Sequence, residues 1–250
     1  IQSTGQITKA MKLVSTVKLQ KAKGRAENTK PYFDLMYETV QSILAKSGHI
    51  NHKYLKESES DKKAVIVVTA NRGLAGGYNS NITRMIIDEG FTKENTVVYA
   101  VGKKGRELLE RKGYEIKADY SEAINDPIYK DAKEICDDVL SAFADGEVGE
   151  IYLAYTVFKN TVVHEPQLIR LLPVEADDAA HETDGSEALM TYEPSEEEAL
   201  DMIIPKYVCS LVYGALIESV ASENGARMQA MDSATSNAEE MISTLSLKYN

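Results

Sequence analysis

Tryptophan is absent from this sequence, phenylalanine occurs four times, and there are only two cysteines. Cys136 and Cys209 lie far apart and outside any CxxC pair. That excludes a disulfide framework and a cysteine-built zinc site, and it fits a reducing compartment. No stretch approaches the roughly 18 uninterrupted apolar residues that a membrane span needs. There is no GxSxG elbow to anchor a nucleophilic hydrolase. Neither GxGxxG nor GxxxxGKS/T occurs, so the usual phosphate-binding signatures are missing.

Positive charge is also scarce: 28 Lys and Arg stand against 39 Asp and Glu, a net charge of −11. What there is collects at one end. Residues 1–30 hold seven Lys and Arg against a single acid, Glu27, whereas residues 171–201 hold eleven acids and no Lys or Arg. A basic end on an acidic chain argues for an acidic protein surface as its partner rather than nucleic acid.

Helical periodicity fills the first segment, Ser3 to about Lys46. Ile7, Ala10, Val14 and Val17 form a stripe at 3–4 spacing, flanked by Met11 and Leu13. The pattern resumes from Leu35 to Leu44, and Pro31 between them predicts a kink or local break. The period then changes. Ala64 to Ala70 is a continuous β-branched run, as expected of a buried parallel strand. Asn71 to Asn79 is a glycine-rich turn, and a helix is expected over Asn81 to Gly90. Further strands are expected over Thr96–Val101 and Tyr114–Ala118, with a helix between them. Ile128–Ala144 reads as a helix, and Ile151–Phe158 with Val162–Val174 as a strand pair. This alternation makes an α/β layer. Glu175 to Glu187 reads as an acidic loop. Pro205 then suits the first turn of a second long helix running to Tyr249. The expected division is a helix over 1–62, an α/β domain over 63–204 and a helix over 205–250. Each terminal helix needs a partner for its apolar stripe. The simplest arrangement is an antiparallel coiled coil of the two, inside a further sleeve of protein.

Several residues invite chemistry. The turn Arg72 to Tyr78 follows a strand, where glycines can cradle phosphates at a helix start. No Lys follows these glycines, and a tight turn requiring positive φ accounts for them equally. His49 and His52, with Glu57, Glu59 and Asp61 nearby, have metal-like spacing, but no second His or Cys pair supports them. The run Glu196 to Glu198 reads as a helix start favoured by the helix dipole. Around Lys9, Lys12, Lys18, Lys21, Lys23 and Arg25 the acidic neighbours that i,i+4 pairing would need are almost absent, Glu27 being the only acid.

Three segments together resemble the F-type ATP synthase gamma subunit family. They are Gln6 to Val14, continuing to Lys23; Thr69 to Asn79; and Ser222 to Ala238. The last is the most specific of the three. The resemblance implies an α/β class fold, in which long N- and C-terminal helices form an antiparallel coiled coil beside a central Rossmann-like domain. It implies a rotor that couples proton flow to catalysis elsewhere, with no catalytic residue, cofactor or metal of its own. The expected partners are the ring of alpha and beta subunits, the epsilon subunit and the membrane c-ring, with one copy per complex and no direct lipid insertion. The expected place is the cytoplasmic face of a bacterial plasma membrane, or the corresponding organellar face. Lys9, Met11, Lys12 and Lys18, with Arg227 and Met228 at the same level, are the expected coupling contacts. Residue chemistry alone leaves a nucleotide-dependent α/β enzyme and a coiled-coil scaffold as the other readings.

Overall fold

The computed structural model describes residues 1–46, 51–56, 58–175 and 195–249. Helix α1 spans Gln2–Lys46 and continues through Pro31. A proline there removes one N–H donor and crowds the carbonyl four residues back. Packing outweighs that loss: the Phe33 ring meets Tyr213 edge-on at 6.1 Å, and Val40, Ile43 and Leu44 are buried.

The second long helix, α5, spans Glu196–Tyr249 and therefore does not open at Pro205. It opens where the Ser195 Oγ accepts the Glu198 amide at 3.2 Å, with Glu196, Glu197 and Glu198 in the first turn. An N-terminal cap and helix-dipole complementarity outweigh a preference for proline at the first position. Leu200 and Ile204, before the proline, are fully buried. By length and composition α5 is apolar enough to cross a membrane, but 56% of its most apolar stretch is buried within the protein.

The two helices run antiparallel. Thr8 and Thr235 share a hydroxyl hydrogen bond of 2.8 Å near one end, and Tyr37 lies 6.4 Å from Tyr207 near the other. The seam on α1 is Thr8, Ser15, Leu19 and Ala22, all buried. The expected stripe of Ile7, Ala10, Val14 and Val17 instead faces outward, with Val17 66% exposed. The small and hydroxyl side chains Thr8, Ser15 and Ala22 let two backbones approach closely, with Leu19 the one bulky aliphatic among these seam residues, while Ile7, Val14 and Val17 stay outside. On α5 the 3–4 spacing predicts a stripe of Ile217, Val220, Asn224, Met228, Met231, Ala234, Ala238, Met241 or Ile242, and Leu245; it is buried or partly covered as far as Ala238, while Met241, Ile242 and Leu245 are largely uncovered.

Between the helices lies one five-stranded sheet. Its strands are β1 (Lys63–Val68), β2 (Thr96–Val101), β3 (Glu115–Asp119), β4 (Glu150–Phe158) and β5 (His164–Leu172), in the order β3-β2-β1-β4-β5. All pairs are parallel except β4–β5, a hairpin. Its turn is closed by the Asn160 carboxamide oxygen, which accepts the Val162 and Val163 amides at 2.8 Å each. Helices α2 (Tyr78–Asp88) and α3 (Lys103–Arg111) cover one face through Ile82, Ile86 and Leu109. Helix α4 (Tyr129–Ala144) and the first half of α5 cover the other, where Ile135, Val139, Val208 and Val212 meet Ile66 and Leu153. Central β1 is buried on both faces, which explains its unbroken Ala64–Val68 run.

Candidate functional site

The residues expected to couple to partners fall on the upper half of the helical pair. Lys9 and Lys18 are exposed and have no acidic partner among the described residues. Lys12 is paired within the chain, its Nζ 2.5 Å from Asp232 on α5. Met11 and Met228 are partly covered. Arg227 is only 9% exposed. Its Nη2 meets Glu223 at 2.7 Å, and its Nε and Nη2 donate to the Gly73 carbonyl at 3.4 and 3.3 Å. Farther down, Arg25 pairs with Asp126 at 2.6 Å and donates to the Pro127 carbonyl, so this cation also serves the fold.

The glycine-rich turn joins β1 to α2. Gly76 has φ +56° and Leu74, unusually for a non-glycine residue, φ +60°. The turn is held by its own asparagines. Asn79 Oδ1 accepts the Ala70 amide at 2.9 Å, and Asn71 Oδ1 accepts the Lys103 amide at 2.9 Å. Asn71 Nδ2 donates to the Ser121 carbonyl at 2.7 Å. Tyr78, the first residue of α2, sends its buried hydroxyl to the Ser219 carbonyl on α5 at 3.1 Å. Burial, with the Glu223 carboxylate nearby, pushes the Tyr78 phenol far above its ordinary value, so it stays a donor. A cleft of about 550 Å³ opens beside the turn, lined by Gly76, Asn81, Thr156, His164, Gln229 and Asp232.

The two histidines among the described residues take structural places. His52 is buried; its Nε2 lies 2.8 Å from Asp201 Oδ1, and its Nδ1 accepts the Tyr54 amide at 3.2 Å. It ties the segment after α1 to the start of α5. His49, Glu57, His181 and most of the acidic stretch, residues 176–187, lie outside the described residues. Among the described residues no group of three or more His, Cys, Asp or Glu side chains is arranged to hold a metal. His164 packs beneath Gly225, where a Cβ would stand 2.6 Å from its ring.

One arrangement had no signal in the spacing. Cys136 on α4 and Cys209 on α5 are both buried and close enough for each thiol to act on the other. The Cys136 thiol, with help from the Tyr129 hydroxyl, holds Cys209 below its usual value, while Cys136 itself is pushed well above its own. Their helices lie side by side on one face of the sheet, a proximity set by tertiary packing alone.

Comparison with known proteins agrees with this geometry. A family model described as ATP synthase matches residues 1–250. An ATP synthase gamma chain of Lachnoclostridium phytofermentans is 66% identical over 256 residues, covering 100% of this chain and 88% of that protein. A relative from Acetobacterium woodii, described as an ATP synthase gamma chain, sodium ion specific, is 41% identical over 266 residues with the same coverage. Among solved structures, the central stalk and c-ring of Tetrahymena thermophila mitochondrial ATP synthase contains a chain superposing with a TM-score of 0.68. That chain is 26% identical, and the match covers 91% of this chain and 99% of that one. With its paired helices, its five-stranded domain and this match along its whole length, the chain belongs to the ATP synthase gamma-chain family, the central stalk of a membrane-bound complex.

Proposed function

We propose that the helical pair turns inside a ring of alpha and beta subunits and biases each catalytic site in turn. In this reading the α/β domain and the helix ends beside it meet the epsilon subunit and the membrane c-ring. One copy serves each complex. It works at the cytoplasmic face of a bacterial plasma membrane, or the equivalent organellar face, without entering lipid. Ion flow through the membrane sector drives ATP synthesis, and hydrolysis drives the reverse. The ion choice, which the Acetobacterium woodii relative's description gives as sodium for that protein, belongs to the membrane sector; protons are the proposed ion here.

The carrying observation is the outer face of α1. Ile7, Leu13, Val14 and Val17 are exposed beside Lys9 and Lys18, which have no acidic partner among the described residues. An apolar and basic face on a two-helix rod fits a surrounding partner that is apolar in part and acidic in part. Contacts of this kind vary with rotary angle, and only contacts that differ between states shift a partner's conformational equilibrium. Met11 and Met228, flexible and polarizable, suit a surface that repacks at each step.

Reconstitution tests the proposal. The chain is mixed with alpha and beta subunits, and complex size and ATP hydrolysis are followed together. The expected result is a stable complex whose turnover depends on this chain. Met11→Lys is expected to keep assembly while lowering the ions pumped per ATP hydrolysed. ATP turnover by the chain alone, with no complex formed, would reject the rotor reading in favour of an enzyme.

A further inference from the structure

Between Glu218 and Arg227, α5 changes the way it holds the α/β domain. Below this level its contact with the sheet is aliphatic, through Leu200, Ile204, Val208, Val212 and Leu216. Above it directional contacts join the apolar ones, where Ala226 packs against Ala75 and Tyr78. The Tyr78 hydroxyl reaches the Ser219 carbonyl, the Ser222 hydroxyl donates to the Thr156 carbonyl at 3.1 Å, and the Arg227 fork grips the Gly73 carbonyl. The Phe158 amide meets Glu218 Oε2 at 3.4 Å, and Gly225 allows His164 to lie against the helix. These partners come from two separate places in the domain: the glycine-rich turn after β1, and the ends of β4 and β5.

Apolar packing resists separation but is non-directional, so it opposes sliding and twisting weakly. A hydrogen bond loses its energy within tens of degrees of misalignment. A rotor whose domain is driven at one end and whose shaft works at the other must carry torsion across this joint. We infer that the glycine-rich turn is a torsional clasp: Tyr78 and Gly73 lock the α/β domain to α5 through Ser219 and Arg227, and so fix its angle to the shaft. The inference rests on the rotor reading, and it gives the turn a task other than phosphate binding. The left-handed backbone at Leu74 and Gly76 turns the Gly73 carbonyl toward Arg227 and sets Tyr78 at the head of α2. Tyr78 and Arg227 are positioning residues; neither needs to touch a nucleotide.

The test uses the assembled catalytic complex, with the ring fixed to a surface and a bead attached through a cysteine placed at exposed Glu89, at the end of α2. In the stalled complex, the width of the bead's angular fluctuation reports torsional compliance. Tyr78→Phe removes one hydroxyl. Arg227→Lys keeps the charge beside Glu223 and loses the fork. Each is expected to widen the angular variance, to about twofold when combined, since directional bonds across the joint are lost. Ile86→Val, in the core on the other face of the sheet, is the control: it lowers thermal stability and leaves the variance unchanged. Unchanged variance in both clasp variants, in complexes that still rotate, overturns the clasp and leaves the rotor reading intact. A wild-type complex that assembles but does not rotate overturns both. If Arg227→Lys fails to assemble, Tyr78→Phe alone decides.

Discussion

Lys12 on α1 and Asp232 on α5 form an ion pair of 2.5 Å between helices joined only through the whole α/β domain. Both side chains are well exposed, so solvent screens the pair and its net worth is small. Asp232→Asn is expected to lower the melting temperature of the isolated chain by no more than about 3 °C, as for a loss under about 1 kcal/mol. Circular dichroism across a salt series measures this, and the difference should shrink as salt rises.

The seam and the outer stripe of α1 should respond in opposite ways. Leu19, 6% exposed, packs with Ala22 and Ala221, so Leu19→Ala is expected to cost about 2–4 kcal/mol in the isolated chain. Val17→Ser should change that stability by less than about 0.5 kcal/mol. The same Val17→Ser change should weaken incorporation into the alpha/beta ring by roughly fivefold, since it removes apolar area that only a partner covers. Denaturant titration gives the first pair of values and co-sedimentation with the ring the last.

Gly225 and His164 are expected to be coupled. A Cβ at position 225 would stand 2.6 Å from the imidazole Cε1 and 3.1 Å from Nε2. Gly225→Ala gains helix propensity but forces the ring aside, and a net loss of about 1–2 kcal/mol is expected. In the Gly225→Ala/His164→Ala double variant the clash is gone. A double-mutant cycle should therefore give an interaction of about 1 kcal/mol or more, and additive costs would mean that the two residues do not oppose each other.

Burial raises the Glu218 carboxyl above its ordinary value, with the Phe158 amide and the Lys30 ammonium pulling partly back. A raised folded-state value means that this group's contribution is fully present below the unfolded value and is lost as pH rises through the folded one. Glu218→Gln stays neutral throughout. The variant should match the wild type in acid and exceed it in melting temperature at pH 7–8; a constant offset across pH would contradict the shift.

How much of this was legible in the sequence depends on the range of the interaction involved. The β-branched run at Ala64–Val68, the helices at both ends and the hairpin with Asn160 in its turn follow from local preference and periodicity, and all but the start of α5 sit within a few residues of their expected bounds. The start of α5 was set by the Ser195 cap and its three acids, a local signal that Pro205 obscured.

The sequence by itself determined that two long helices flank an α/β domain, that the first is basic, and that its upper half carries Lys9, Met11 and Lys18. Only the tertiary structure decided which face of α1 is the seam. A 3–4 spacing identifies a stripe but not the surface that will cover it, and close helix approach selected Thr8 and Ser15 over Ile7 and Val14. It also decided that Arg227 turns inward to the Gly73 carbonyl and that Tyr78 reaches Ser219, because both bonds join segments more than a hundred residues apart. Periodicity and local propensity act over a few turns of chain, and such pairings exist only once the sheet and the shaft have packed together.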